Sequence, residues 1–218
     1  MMPVPRIALI NPNTSVETTR IMTEIARGEV GDAADIFGHT ASRGPDVITD
    51  EISLEEAAKH VAELGRQFLE QSYRGILISG FGDPGLRRLR EEMPIPVTGI
   101  AEAGMAEASA AGRRFSIVTT TPLLERSIEE TAFRYGYADL LVSVRITPGV
   151  AEETMANEDA MTDALWNACM DAVTEDGAEA ILIGGGPLAK AGENIRSKIA
   201  VPLVNPVCAG ARLALARL

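Results

Sequence analysis

Hydroxyl and amide side chains stand where two apolar runs end: Asn11, Asn13 and Thr14 in "NPNTS" (11 to 15), and Thr119, Thr120 and Thr121 in "TTTP" (119 to 122). Such groups grip the oxygens and nitrogens of a ligand without charge of their own. Two more apolar runs end in glycine-rich turns, "SGFGDPG" (79 to 85), with Ser79, Gly80 and Phe81, and "GGGPLA" (184 to 189), with Gly184, Gly185, Gly186 and Pro187. Each of the four turns leads toward a helix start, whose free amides and dipole suit a carboxylate or an imide oxygen. The ligand they predict is small and anionic or amide-rich. Two carboxylates are candidate bases, Asp83 in the first glycine-rich turn and Glu102 after "PVTGI". An Asp before Pro in such a turn is more often bonded to nearby backbone amides, and Ser79, next to Gly80 on a strand end, points to the opposite face.

These turns are ordered by alternating strands and helices. Ile7 to Ile10 reads as a buried strand and Ser15 to Arg27 as a helix capped by Thr14 or Ser15. "ADIFGHTASRGPDVI" has strand character before a turn at Arg43 to Pro45. "ISLEEAAKHVAELGRQFLEQSY" is an amphipathic helix with capping-box spacing at Ser53 and Glu56, and Leu54, Ala57, Ala58, Val61, Leu64 and Phe68 on one face. Alternation of this kind predicts an α/β fold with parallel sheets covered on both sides. The chain also repeats itself. "RIALINPNT" (from 6) resembles "FSIVTTTPL" (from 115), "ILISGFGDPG" (from 76) resembles "ILIGGGPLA" (from 181), and "IPVTGIAEAG" (from 95) resembles "VPLVNPVCAG" (from 201). Matched order and near-constant spacing predict two similar doubly wound lobes related by a pseudo-twofold axis. A ligand cleft is then expected between them, at the C-terminal ends of the strands.

Composition narrows the function classes. A chain of 218 residues with 46% hydrophobic content can bury a substantial core. No apolar run approaches the roughly 20 residues that span a bilayer, and the N-terminus has no basic-then-apolar leader, so a cytoplasmic protein without membrane partners is expected. Two cysteines and two histidines make no disulfide framework and no metal-ligand cluster. A net charge of −11 with 4% aromatic residues argues against nucleic acid. Cys169 reads as core packing, and His60 as solvent-facing on its helix. His39 reads as a surface residue or a ligand contact. Cys208 reads as a buried structural residue at the repeat equivalent of Glu102, near a helix start that would acidify a thiol.

Together, "INPNTS", "RGP" (43 to 45), "GFGDPGL", "PVTGIAEA", "FSIVTT" and "IGGGPLA" resemble the Asp/Glu/hydantoin racemase superfamily, and more closely its hydantoin and allantoin racemase branch, over nearly the whole chain. The resemblance implies a homo-oligomeric, cofactor-independent isomerase of two lobes. In that family a small-molecule substrate lies between two cysteines, one taking the α-proton and the other delivering one to the opposite face. It also implies that the closing segment crosses back, giving lobes 1–98 plus 205–218 and 99–204. The positions matching the family's two thiols are Gly80 and Gly185, which can neither accept nor donate a proton. A positioned acid or base contributes roughly 10²–10⁴-fold, so a two-thiol mechanism is not expected here. Three functions follow: an enzyme with thiol-independent chemistry (a lyase, hydrolase or isomerase), a hydantoin-type racemase using Asp83 or Glu102, or a metabolite-binding protein without turnover.

Overall fold

A computed structural model describes residues 3–149 and 157–218 of the chain. Two four-stranded sheets, parallel throughout, organise it. The first contains β1 (Arg6–Asn11), β2 (Asp35–Thr40), β3 (Gly75–Ile78) and β4 (Val97–Gly99) in the order β2-β1-β3-β4. The second contains β5 (Phe115–Thr119), β6 (Leu141–Ile146), β7 (Ala180–Ile183) and β8 (Leu203–Val204) in the order β6-β5-β7-β8. The sequence repeats fall on the same places in both sheets, with β1 matching β5, β3 matching β7 and β4 matching β8. The central strands are buried on both faces, as parallel strands covered by helices must be.

Helices α1 (Val16–Val30), α2 (Glu51–Arg66) and α3 (Leu86–Glu92) belong to the first half of the chain. Side-chain alternation divides the first core accordingly. Ile7, Leu9 and Leu77 pack with Met22 and Ala26 of α1, while Ala8, Ile10, Ile76 and Ile78 pack with Val61 of α2 and Leu89 of α3. In the second half, α5 (Glu125–Arg134) sets Ile128 and Ala132 against Phe115 and Ile117, and α6 (Glu158–Thr174) sets Leu165, Cys169 and Ala172 against Val118, Ile181 and Ile183. The short helix α7 (Ala189–Ile195) adds Ile195 to the latter cluster.

Two helices join the halves. After β4, α4 (Ile100–Ala108) places Ala103, Met105 and Ala108 in the core of the second sheet. After β8, α8 (Pro206–Ala216) places Val207, Ala211 and Ala214 in the core of the first.

Local chemistry departs from expectation at two points. The helix read from "ISLEE" starts at Glu51. Asp50 is its cap and Ser53 its third residue, with Ser53 N–H donating to Asp50 Oδ1 (2.7 Å) and Asp50 N–H donating to Ser53 Oγ (3.2 Å), so Glu56 has no part in the box. His60 is not solvent-facing: its side chain is 15% exposed, and Nε2 is buried without a hydrogen-bond partner among the described residues. The ring lies under the turn at Gly44, which draws it out of water. Among the described residues no helix is long and apolar enough to cross a membrane.

Candidate active site between the lobes

All four predicted turns line one cavity of about 60 Å³. The end of β1 contributes Asn11, Pro12 and Asn13, and the end of β3 contributes Ser79, Gly80 and Phe81. From the second sheet come Thr119, Thr120 and Thr121 after β5, and Gly184, Gly185, Gly186 and Pro187 after β7. Leu124 and Leu188 close that side. Val47 and Ile48, from the irregular segment between β2 and α2, complete an apolar wall that sequence reading missed. Their only signal was two aliphatic residues inside a turn-rich stretch.

Hydrogen bonds decide which polar groups are free for a ligand. Asn11 Nδ2 donates to Asn13 Oδ1 (2.7 Å), Ser15 O (3.0 Å) and Thr19 Oγ1 (3.0 Å), so its amide is spent on shaping the turn. Asn13 Oδ1 also accepts from Ser15 N–H (3.0 Å). Asn13 Nδ2 makes no hydrogen bond among the described residues and is left as a donor. Thr119 donates to the Gly184 carbonyl (2.9 Å) and lies 3.2 Å from the Thr121 hydroxyl, joining two strand ends across the second lobe. The Ser79 hydroxyl faces Met22 Sδ at 3.0 Å, a weak acceptor.

Three of the residues predicted for the site do not line this cavity. The Thr14 hydroxyl donates to Asp46 and its N–H to the Pro45 carbonyl (3.1 Å), tethering the segment that carries Val47 and Ile48. The Asp83 carboxylate accepts from Ala101 N–H (2.8 Å), Glu102 N–H (2.9 Å) and the Tyr135 hydroxyl (2.7 Å). Burial pushes its pKa up to about 6, against the opposing pull of those donors. Glu102 caps α4 by accepting from Gly99 N–H (3.1 Å) and is paired with Arg90 and Arg217, both at 2.5 Å. His39 stands away from the cavity as well, bonded to the Tyr73 hydroxyl at 2.8 Å and packed on Phe68.

Neither cysteine reaches the cavity. Burial pushes the Cys169 and Cys208 thiols up to about 12 each, so the helix start does not acidify Cys208; Glu193 and Glu29 nearby disfavour its thiolate further. No Cys, His, Asp, Glu, Lys or Arg is among the described residues that line the cavity. Nor do the described residues contain a group of three or more His, Cys, Asp or Glu that could hold a metal ion.

The two glycines once matched to thiol positions differ in their surroundings. Gly185 has extended backbone (φ 175°), and the atoms nearest to a Cβ there would be Leu188 Cγ at 3.3 Å and Cδ1 at 3.4 Å, with Pro187 Cδ at 3.9 Å. A Cβ at Gly80 would fall on the Pro12 ring.

Two parallel-sheet lobes with facing strand ends around one polar, glycine-rimmed cavity define a two-lobed α/β protein with a small-ligand cleft. The family model for Asp/Glu/Hydantoin racemase matches residues 7–214, and the chain belongs to that family. It is 31% identical over 210 residues to the hydantoin racemase of Paenarthrobacter aurescens, covering 96% of this chain and 89% of that protein. To the hydantoin racemase of Pseudomonas sp. (strain NS671) it is 30% identical over 209 residues, covering 96% and 84%. Among solved structures, the allantoin racemase from Klebsiella pneumoniae superposes with a TM-score of 0.92 at 30% identity, covering 97% of this chain and 86% of that one.

Proposed function

We propose that this racemase-family chain binds a small carboxylate or cyclic amide between its lobes and acts on it without a thiol, as a lyase, hydrolase or isomerase. The observation that carries this reading is the make-up of the cavity. Neutral donors and acceptors from four strand ends face an apolar wall, and no lining side chain titrates near neutral pH. Such a site suits a cyclic amide, whose carbonyls and N–H groups match neutral partners, and it offers no cation to pair with a second carboxylate. With no side-chain base at hand, proton transfer falls to the substrate's own groups or to a water beside Gly80 or Gly185.

A hydantoin-type racemase working through Asp83 or Glu102 finds less support. Asp83 already accepts three hydrogen bonds, Glu102 is held by two arginines, and neither lines the cavity. Binding without turnover is the second reading, favoured by the same lack of titratable groups. Proton NMR in D2O with hydantoins, allantoin, aspartate, glutamate and substituted malonates separates the three. Product signals from one of them support thiol-independent chemistry. Exchange of the α-proton alone assigns a racemase. A ligand that raises the melting temperature and stays unchanged assigns a binding protein.

A further inference from the structure

Asp83 is the one charged residue among the buried residues described, and its surroundings are built for it. Its backbone lies in the left-handed region (φ 53°), a conformation Asp tolerates better than most side chains. Its N–H donates to the Gly80 carbonyl (3.0 Å) and its own carbonyl accepts from Leu86 N–H (3.1 Å), which folds the turn that brings Gly80 and Phe81 to the cavity. The carboxylate reaches out of that turn to the first amides of α4 and to Tyr135, the residue that follows α5. Gly99 supplies the space, since a Cβ at that position would fall on the Asp83 carboxylate. Phe81 in turn packs against the core of the second sheet.

We infer that Asp83 is a positioning residue, which fixes the Gly80–Phe81 backbone in the cleft by tying its turn to α4 and, through Tyr135, to the second lobe. This holds for whatever ligand the cleft takes and goes beyond the function proposed above. An ionised carboxylate, acceptor-only, suits three donors and no acceptor. A protonated one has one lone-pair site fewer and gains an O–H that needs an acceptor, and the Tyr135 hydroxyl, which can turn to accept, is the partner able to adapt. The charged and titratable groups that face this carboxylate are Glu102 on α4, which is neutralised by Arg90 of α3 and Arg217, and Arg134 and Tyr135 at the end of α5. Lys59 of α2, with Arg87, Arg88 and Glu91 of α3, lines the surface pocket beside it. Burial sets the change in mildly acidic solution, where the carboxyl titrates near 6.

The test is an amide NMR titration of the ligand-free protein between about pH 4.5 and 7.5, bracketing that value, with D83N and Y135F alongside. The Gly80, Phe81, Ala101 and Glu102 amides are expected to shift together with one midpoint in the parent and to stay flat in D83N, which assigns the change to this carboxyl. Y135F keeps the α4 cap and loses only the link to α5. It is expected to speed hydrogen exchange at Gly80 and Phe81 several-fold while leaving Ile181 and Leu182 in the second sheet unchanged. The inference is overturned if the Asp83 carboxyl titrates while the Gly80 and Phe81 amides stay still, or if exchange there is unchanged in Y135F. No ligand enters the experiment, so its failure and that of the proposed function are separate results.

Discussion

Gly80 and Gly185 leave different amounts of room for a side chain. At Gly185 the backbone is extended and the nearest atoms belong to a flexible leucine, so Gly185→Cys should keep its stability within about 1 kcal/mol of the parent. At Gly80 the Pro12 ring must move, so Gly80→Cys should cost about 1–3 kcal/mol; thermal unfolding of the two variants tests the contrast. If the cleft still presents substrate correctly, the double variant should gain α-proton exchange on a hydantoin by at least about 10²-fold, measured by NMR in D2O. Asp83 gives a pH prediction with a definite sign. Its folded carboxyl is raised from 3.8 to about 6, so between these values the folded state holds the proton more tightly than the unfolded one. Its contribution to stability is full below about pH 4 and is lost as pH rises through about 6, by up to about 3 kcal/mol. Urea midpoints across this range should fall more steeply in the parent than in D83N. The polar rim of the site was legible in the sequence because strand ends in a parallel sheet are marked by where apolar runs stop. Asp83 lies in one of those turns and Glu102 at the helix start after the next strand, but their side chains cap α4 instead of entering the cavity, with Gly99 giving Asp83 its space and Tyr135 a further donor.

At the scale of elements, the two halves begin their fourth-strand helices differently. The start of α4 is served by Glu102 from within and by Asp83 from the neighbouring turn. The start of α8 is served by its own cap, Asn205, fully buried, which accepts from Val207 N–H (3.0 Å) and Cys208 N–H (3.4 Å) and donates to Ala189 O (3.3 Å) and Glu193 Oε1 (2.7 Å). Asn205→Ala would orphan groups on two helices and should cost about 2–4 kcal/mol in urea unfolding. Asp50→Ala, which removes a half-buried cap from α2, should cost nearer 1 kcal/mol. Sequence periodicity located the helix of α2 but not its cap, because Asp50 and Ser53 compete as starting signals and only the local hydrogen bonds choose between them. Val47 and Ile48 escaped for a related reason. Periodicity reports regular elements, and these two residues reach the cavity from an irregular one tied down by Thr14.

For the whole molecule, the exchange of α4 and α8 means that each sheet is covered by a helix following the other lobe's cleft turns or linking into it. The first core is incomplete without α8, and the second without α4. Unfolding should therefore be a single transition, with near-UV and far-UV signals coincident, and a chain ending at Val204 should lose the first lobe's protected amides. The repeat made this symmetry legible at the level of strands. The packing of the two bridging helices depends on surfaces that a strand motif does not describe. The exchange has one more consequence, for the order in which a growing chain can fold. The strands that α8 covers, β3 and β4, precede the whole second sheet in the chain, while Val207, Ala211 and Ala214 follow it. During synthesis, the part of the first sheet's apolar face that α8 covers stays open while the strands of the second sheet are being made, so the nascent chain carries an aggregation-prone surface until α8 has emerged.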